Sequence, residues 1–128
     1  MAEEEIKQVL MIEDDPDQMF LYKSAFDLQK IPSVMANGGK VGIEQAKRWH
    51  PKVIVLDIVM EGVDGEEVLK RLKADPTTKD IPVIVFTNLD KKPVKEKFMA
   101  LGATEFWGKT ELMPMALAAK VQDYFDRR

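Results

Sequence analysis

The chain has no cysteine and only one histidine, His50, which stands beside Pro51. Disulfides and thiolate metal sites are therefore excluded, and a cation would have to be held by oxygen donors. Long apolar runs are missing too: nothing approaches the roughly 18 consecutive residues of a membrane span, and no signal-peptide pattern is present. The expected setting is cytoplasmic, without a membrane. There is no basic excess either, since 19 Lys and Arg against 22 Asp and Glu leave a net charge of −3. Electrostatics alone thus give no reason to expect direct nucleic-acid binding, and a basic partner surface is the more natural complement. Internal repeats, linkers and low-complexity segments are absent.

What is present is an ordinary globular balance, 45% hydrophobic and 32% charged over 128 residues. That length supports one core, so residues 1–128 read as a single domain, with the acidic "AEEE" making residues 1–5 a solvated, flexible tail. Short β-branched runs at 7–12, 32–36, 52–57, 81–87 and 103–107 read as strands. Amphipathic stretches at 16–30, 40–49, 65–74, 92–101 and 111–126 read as helices. Strands alternating with helices give βαβ units and a parallel sheet covered on both faces. "VIVL" and "VIVF" are apolar without alternation, as doubly buried strands require. Asp15-Pro16 reads as a helix cap followed by proline, Asp64 with Glu67 as a capping-box-like start, and Thr110 as a cap for the last helix.

Ligands of open parallel sheets bind beyond the carboxyl ends of the strands. There the sequence places Glu13, Asp14 and Asp15 after the first strand, Asp57 after the third, Thr87 at the end of the fourth and Lys109 after the fifth. Asp14, Asp15 and Asp57 against Lys109 leave an excess of negative charge that a divalent cation would cancel. An all-oxygen site of carboxylates, a backbone carbonyl and waters suits Mg²⁺, for which Mn²⁺ could substitute. A carboxylate beside such an ion can attack phosphorus, with Lys109 and the Thr87 hydroxyl stabilising the phosphoryl oxygens. Taken singly, "DDP" also reads as a helix cap, Asp57 as a strand terminator and Lys109 as a solvated lysine.

The segments "IEDDP", "VIVLDIVMEGVDGEEVLKRLK", "IPVIVFTN" and "GATEFWGK" together resemble the receiver domain of two-component response regulators, in the stand-alone, chemotaxis-regulator-like form. The resemblance covers nearly the whole chain. It implies a flavodoxin-like α/β fold with a five-stranded parallel sheet in the order 2-1-3-4-5 and five helices on both faces. It also implies Asp57 as phosphoacceptor, Asp14 and Asp15 as metal acids and the Val59 carbonyl as a further Mg²⁺ ligand. Thr87 would be the switch hydroxyl, Phe106 the switch aromatic and Lys109 the phosphate-binding lysine. Glu61, Asn88 and Thr110 depart from the common family residues without removing chemistry. Because Thr110 replaces a proline, the cis peptide frequent after that lysine is not expected. Val59 and Leu89 put apolar side chains around the acceptor, where they would hinder an attacking water.

Partners follow from the same resemblance. A histidine kinase or histidine phosphotransfer protein would donate the phosphoryl group, meeting Phe20, Leu21 and Leu28 of the first helix and the "ELMPM" segment with Leu112 and Met113. Output to an unknown protein target would run through a surface carrying Lys91, Lys95, Phe98 and Met99, remodelled when Phe106 turns in behind Thr87. The chain would act as a monomer or a phosphorylation-dependent dimer and would not itself be an enzyme. The alternatives are a phosphorylation-independent pseudo-receiver and a small aspartyl-phosphate-type phosphatase. A flavin carrier fits less well, because the first loop offers acids where a flavin phosphate needs donors.

Overall fold

The structure is a computed structural model that describes residues 8–127. The expected acidic tail and Lys7 lie outside the described residues. Strands β1 (Val9–Ile12), β2 (Ser33–Ala36), β3 (Val53–Leu56), β4 (Val83–Thr87) and β5 (Glu105–Gly108) alternate with five helices. These are α1 (Pro16–Leu28), α2 (Gly39–Trp49), α3 (Gly65–Ala74), α4 (Lys92–Ala100) and α5 (Pro114–Asp126). All strand pairs are parallel and the order is β2-β1-β3-β4-β5, as the sequence leads one to expect.

Strand side chains alternate between two cores. Val9, Met11, Val53, Val55, Ile84 and Phe86 meet α1 and α5, where Tyr22 packs edge-on against Phe86 with ring centroids 5.2 Å apart. Leu10, Ile12, Ile54, Leu56, Val83 and Val85 meet α2, α3 and α4. Each central strand is therefore apolar on both faces, which is why its sequence shows no alternation.

The caps set the entry angles of the helices around the strand ends. Asp15 accepts from the amides of Asp17 and Gln18, and Asp64 from that of Glu67. Thr110 caps nothing: the last helix begins at Pro114, three residues later than expected, with Met113 at its cap position. The chain first makes a turn in which the Glu111 amide bonds to the Gly108 carbonyl at 2.9 Å, and proline, which has no amide hydrogen to satisfy, then opens the helix. Among the described residues no peptide bond is cis.

Helix α4 is the least anchored. Phe98 is its only buried residue, whereas α5 buries five. Phe98 and Leu112, both expected on partner surfaces, are in fact core residues. Phe98 sits 6.4 Å from the Phe106 ring, and Leu112 closes the core beneath α5. Trp107 is only half-buried, because β5 is an edge strand.

Candidate functional site

The order of the strands makes β1 and β3 neighbours at the point where the chain reverses direction across the sheet. Ile12 is paired with Leu56, and the Asp57 amide donates to the Ile12 carbonyl at 3.0 Å. The next residues, Glu13 and Asp57, therefore emerge side by side. On the other flank, Thr87 is paired with Gly108, and the Lys109 amide donates to the Thr87 carbonyl at 2.8 Å. Four strand ends thus deliver Glu13, Asp57, Thr87 and Lys109 to one crevice.

Lys109 is the centre of the arrangement. Its Nζ lies 2.6 Å from Glu13 Oε1 and 3.4 Å from Asp57 Oδ2, with its side chain only 7% exposed. Burial works against the ammonium, but the hydrogen bond to Glu13 and the charge of Asp57 outweigh it and hold the lysine above its ordinary value. Burial pushes the Glu13 carboxyl up, and the charge of Asp57 pushes in the same direction against the Lys109 hydrogen bond. A buried ammonium so engaged is fixed in position without a rotamer search.

The remaining groups complete the crevice around the loop after β3. Asp57, itself buried, accepts from the Val59 amide at 3.1 Å through Oδ1. Asp14 accepts from the Glu61 amide at 3.0 Å through Oδ2, tying the first acidic loop to the loop after β3. Thr87 is fully buried, and its Oγ1 accepts from the Leu89 amide at 3.0 Å, leaving the hydroxyl proton free to be donated. Val59 and Leu89 are exposed at the mouth of the crevice.

Two expected placements differ. Asp15 is exposed, and its carboxylate serves the amides of α1, so it stays outside the cluster that Glu13 joins. Glu13, expected at the end of the first strand but left out of the cation-binding set, is the acid that joins the cluster. The signal was available in Asp15-Pro16, since a carboxylate committed to a helix cap is not free for a cation. Phe106 also differs: it is already buried against Phe98, so it does not wait outside to turn in.

A divalent cation is the ion that the resemblance implies, and the donor chemistry fits one. Glu13, Asp14 and Asp57 present carboxylates against the single ammonium of Lys109, and no nitrogen or sulfur ligand competes. Among the described residues no three acids are gathered closely enough to hold an ion unaided. Mg²⁺ does not need that, because it keeps several waters and binds through one or two carboxylates plus phosphate oxygens. Among the same residues no helix is long and apolar enough to cross a membrane.

The profile of the response regulator receiver domain matches residues 9–122. The chain is 31% identical over 102 residues to the response regulator PleD of Caulobacter vibrioides, covering 80% of this chain but 22% of that protein. It is 29% identical to the polar-differentiation response regulator DivK of Brucella ovis, covering 84% of this chain and 88% of the relative. The solved receiver domain of the Francisella response regulator 1452 superposes with a TM-score of 0.85 at 25% identity, covering 95% and 98% of the two chains.

Proposed function

The chain belongs to the response regulator receiver family, and on that premise we propose that it accepts a phosphoryl group on Asp57 from a phosphohistidine donor and passes the signal on through a protein-binding surface. The observation that carries this reading is the buried Lys109 ammonium held between Glu13 and Asp57.

An Asp57 oxygen attacks phosphorus in line with the departing imidazole, so one P–O bond forms as the P–N bond breaks. Lys109 and the Thr87 hydroxyl stand where charge develops on the phosphoryl oxygens. Glu13, Asp14, Asp57 and the Val59 carbonyl would hold Mg²⁺ or Mn²⁺, Glu13 replacing Asp15 in the expected set. That ion supplies neutralisation of the phosphoryl oxygens. Val59 and Leu89 shield the acyl phosphate from water and lengthen its life.

The docking surfaces are correspondingly revised. Phe20, Leu21 and Leu28 on α1 and Met113 before α5 are all exposed and fit a helical phosphodonor. Lys91, Lys95 and Met99 recur at helical spacing on the outer side of α4 and fit the output partner. Because Phe106 already points inward, the switching element is the loop 88–91 with α4, which follows Thr87 when that hydroxyl is drawn to the phosphate. No catalytic turnover of its own is part of this function. The test is to incubate the protein with an acyl phosphate and Mg²⁺, then treat it with hydroxylamine. Incorporated phosphate that hydroxylamine and prior chelation both abolish supports a carboxyl phosphate, and hydroxylamine-stable phosphate refutes it.

A further inference from the structure

The acceptor loop and α4 are joined by a route that avoids Thr87 altogether. Ile58, next to Asp57, is buried, and its carbonyl accepts from the Gly65 amide at 3.4 Å. The approach is so close that a Cβ on Gly65 would lie 2.3 Å from the Ile58 Cα, so only glycine lets α3 begin there. Asp64 caps that same turn through the Glu67 amide. The first turn of α3 is thus fastened to the residue that follows the acceptor.

From this turn Glu66 reaches across to α4. Its Oε1 forms a salt bridge with the Lys97 ammonium, while its Oε2 takes Lys70, one turn along α3, at 2.9 Å. The two lysines hold the Glu66 carboxyl below the usual carboxylate range, Lys97 contributing most, so it is charged throughout the neutral range. The residue after Lys97 is Phe98, the sole buried anchor of α4 and the neighbour of Phe106. An ion pair of this kind adds little where a helix is well buried, but α4 has one buried residue, so a single tether is a large share of its attachment.

We propose that Glu66 is a positioning residue for α4: its bridge to Lys97 couples the acceptor loop to the output helix in parallel with the Thr87 route. This deepens the function proposed above and rests on it for the identity of the output helix. The bridge itself, however, is present in the unphosphorylated protein and is testable there.

The experiment is hydrogen–deuterium exchange of α4, read in wild type, Lys97→Met, Lys97→Arg, Glu66→Gln and the Lys97→Met/Glu66→Gln pair, with and without an acyl phosphate and Mg²⁺. Lys97→Met is the cleanest variant, because it leaves the Glu66–Lys70 pair inside α3 in place. Without phosphate, α4 exchange is expected to rise about two- to fivefold in Lys97→Met, no further in the double variant, and to stay at the wild-type level in Lys97→Arg. High salt should reproduce the Lys97→Met result in wild type. Where intact mass shows the protein to be phosphorylated, the phosphate-dependent change in α4 exchange is expected to fall at least twofold in Lys97→Met, and a merely structural contact would leave that difference unaltered. Unchanged α4 exchange in Lys97→Met, or purely additive effects in the double variant, would overturn the proposal. A protein that takes no phosphate refutes the receiver chemistry instead, and the unphosphorylated comparison still decides the tether.

Discussion

Lys109 lies closer to Glu13 than to Asp57, at 2.6 Å against 3.4 Å, so the lysine is held by the acid that follows the first strand and merely faces Asp57. In the proposed reaction this arrangement lets Asp57 act as nucleophile while the ammonium that would neutralise the phosphoryl oxygens is already in place. It also gives each of the three consecutive acids a separate role, in which Glu13 holds the lysine, Asp14 secures the loop after β3 and Asp15 caps α1.

That division predicts opposite behaviour for two acids only two residues apart. Glu13→Gln should lower phosphoryl incorporation at limiting Mg²⁺ by at least about tenfold, the equivalent of about 1.4 kcal/mol in the barrier. Asp15→Ala should leave incorporation within about twofold while costing about 1 kcal/mol of stability through the lost cap. Initial rates of labelling and urea denaturation of both variants check the pair, and a loss of labelling confined to Asp15→Ala would reverse the assignment.

Burial predicts a second contrast, between Phe98 on α4 and Phe20 on α1. Phe98→Ala should destabilise the protein by about 3–5 kcal/mol, or release α4 locally, since it empties the only buried position of that helix. Phe20→Ala, at a side chain 76% exposed, should change stability by less than about 0.5 kcal/mol yet weaken transfer from a phosphohistidine protein. Chemical denaturation together with transfer kinetics measures both.

On the proposed function, the crevice mouth would set the lifetime of the phosphorylated form. Val59→Asn with Leu89→Glu should hydrolyse its acyl phosphate severalfold faster than wild type, because the exposed apolar pair no longer hinders water. Decay of the phosphorylated mass with time is the readout, and an unchanged half-life removes these residues from the account.

Asp75 gives a pH prediction. The Thr77 hydroxyl and amide and the Lys47 ammonium, which lies 3.2 Å away, hold its carboxyl down to about 2, below the ordinary aspartate value of 3.8. A depressed carboxyl contributes stability that is fully present above its unfolded value and is lost as pH falls through the folded one. Asp75→Asn should therefore lie below wild type in stability at neutral pH and converge with it as pH falls from about 4 to about 2. Thermal melts across that window test the convergence.

Much of this was legible in the residues. The unbroken apolar runs of β3 and β4 declare strands buried on both faces, and the strand-terminal positions of Asp57, Thr87 and Lys109 follow once the sheet is parallel. Glu13 was less so, because three adjacent acids look alike by type: the cap at Asp15-Pro16 sets Asp15 aside, and the register of Ile12 with Leu56 then shows that Glu13 emerges beside Asp57. On α4, Val94 and Phe98 are one helical turn apart and form the inner stripe, whereas Lys91, Lys95 and Met99 form the outer one. Reading Phe98 with the lysines mixed two faces of a short, highly charged helix. Leu112 was misplaced for a related reason: taken as the start of a helix it pointed outward, but it lies in the turn that Pro114 ends.

The most direct test is the intact mass of the protein after incubation with an acyl phosphate and Mg²⁺, beside Asp57→Asn and a chelated control. One added phosphoryl group is expected in wild type and none in either control. An adduct that persists in Asp57→Asn, or that forms equally well without a divalent cation, would contradict it.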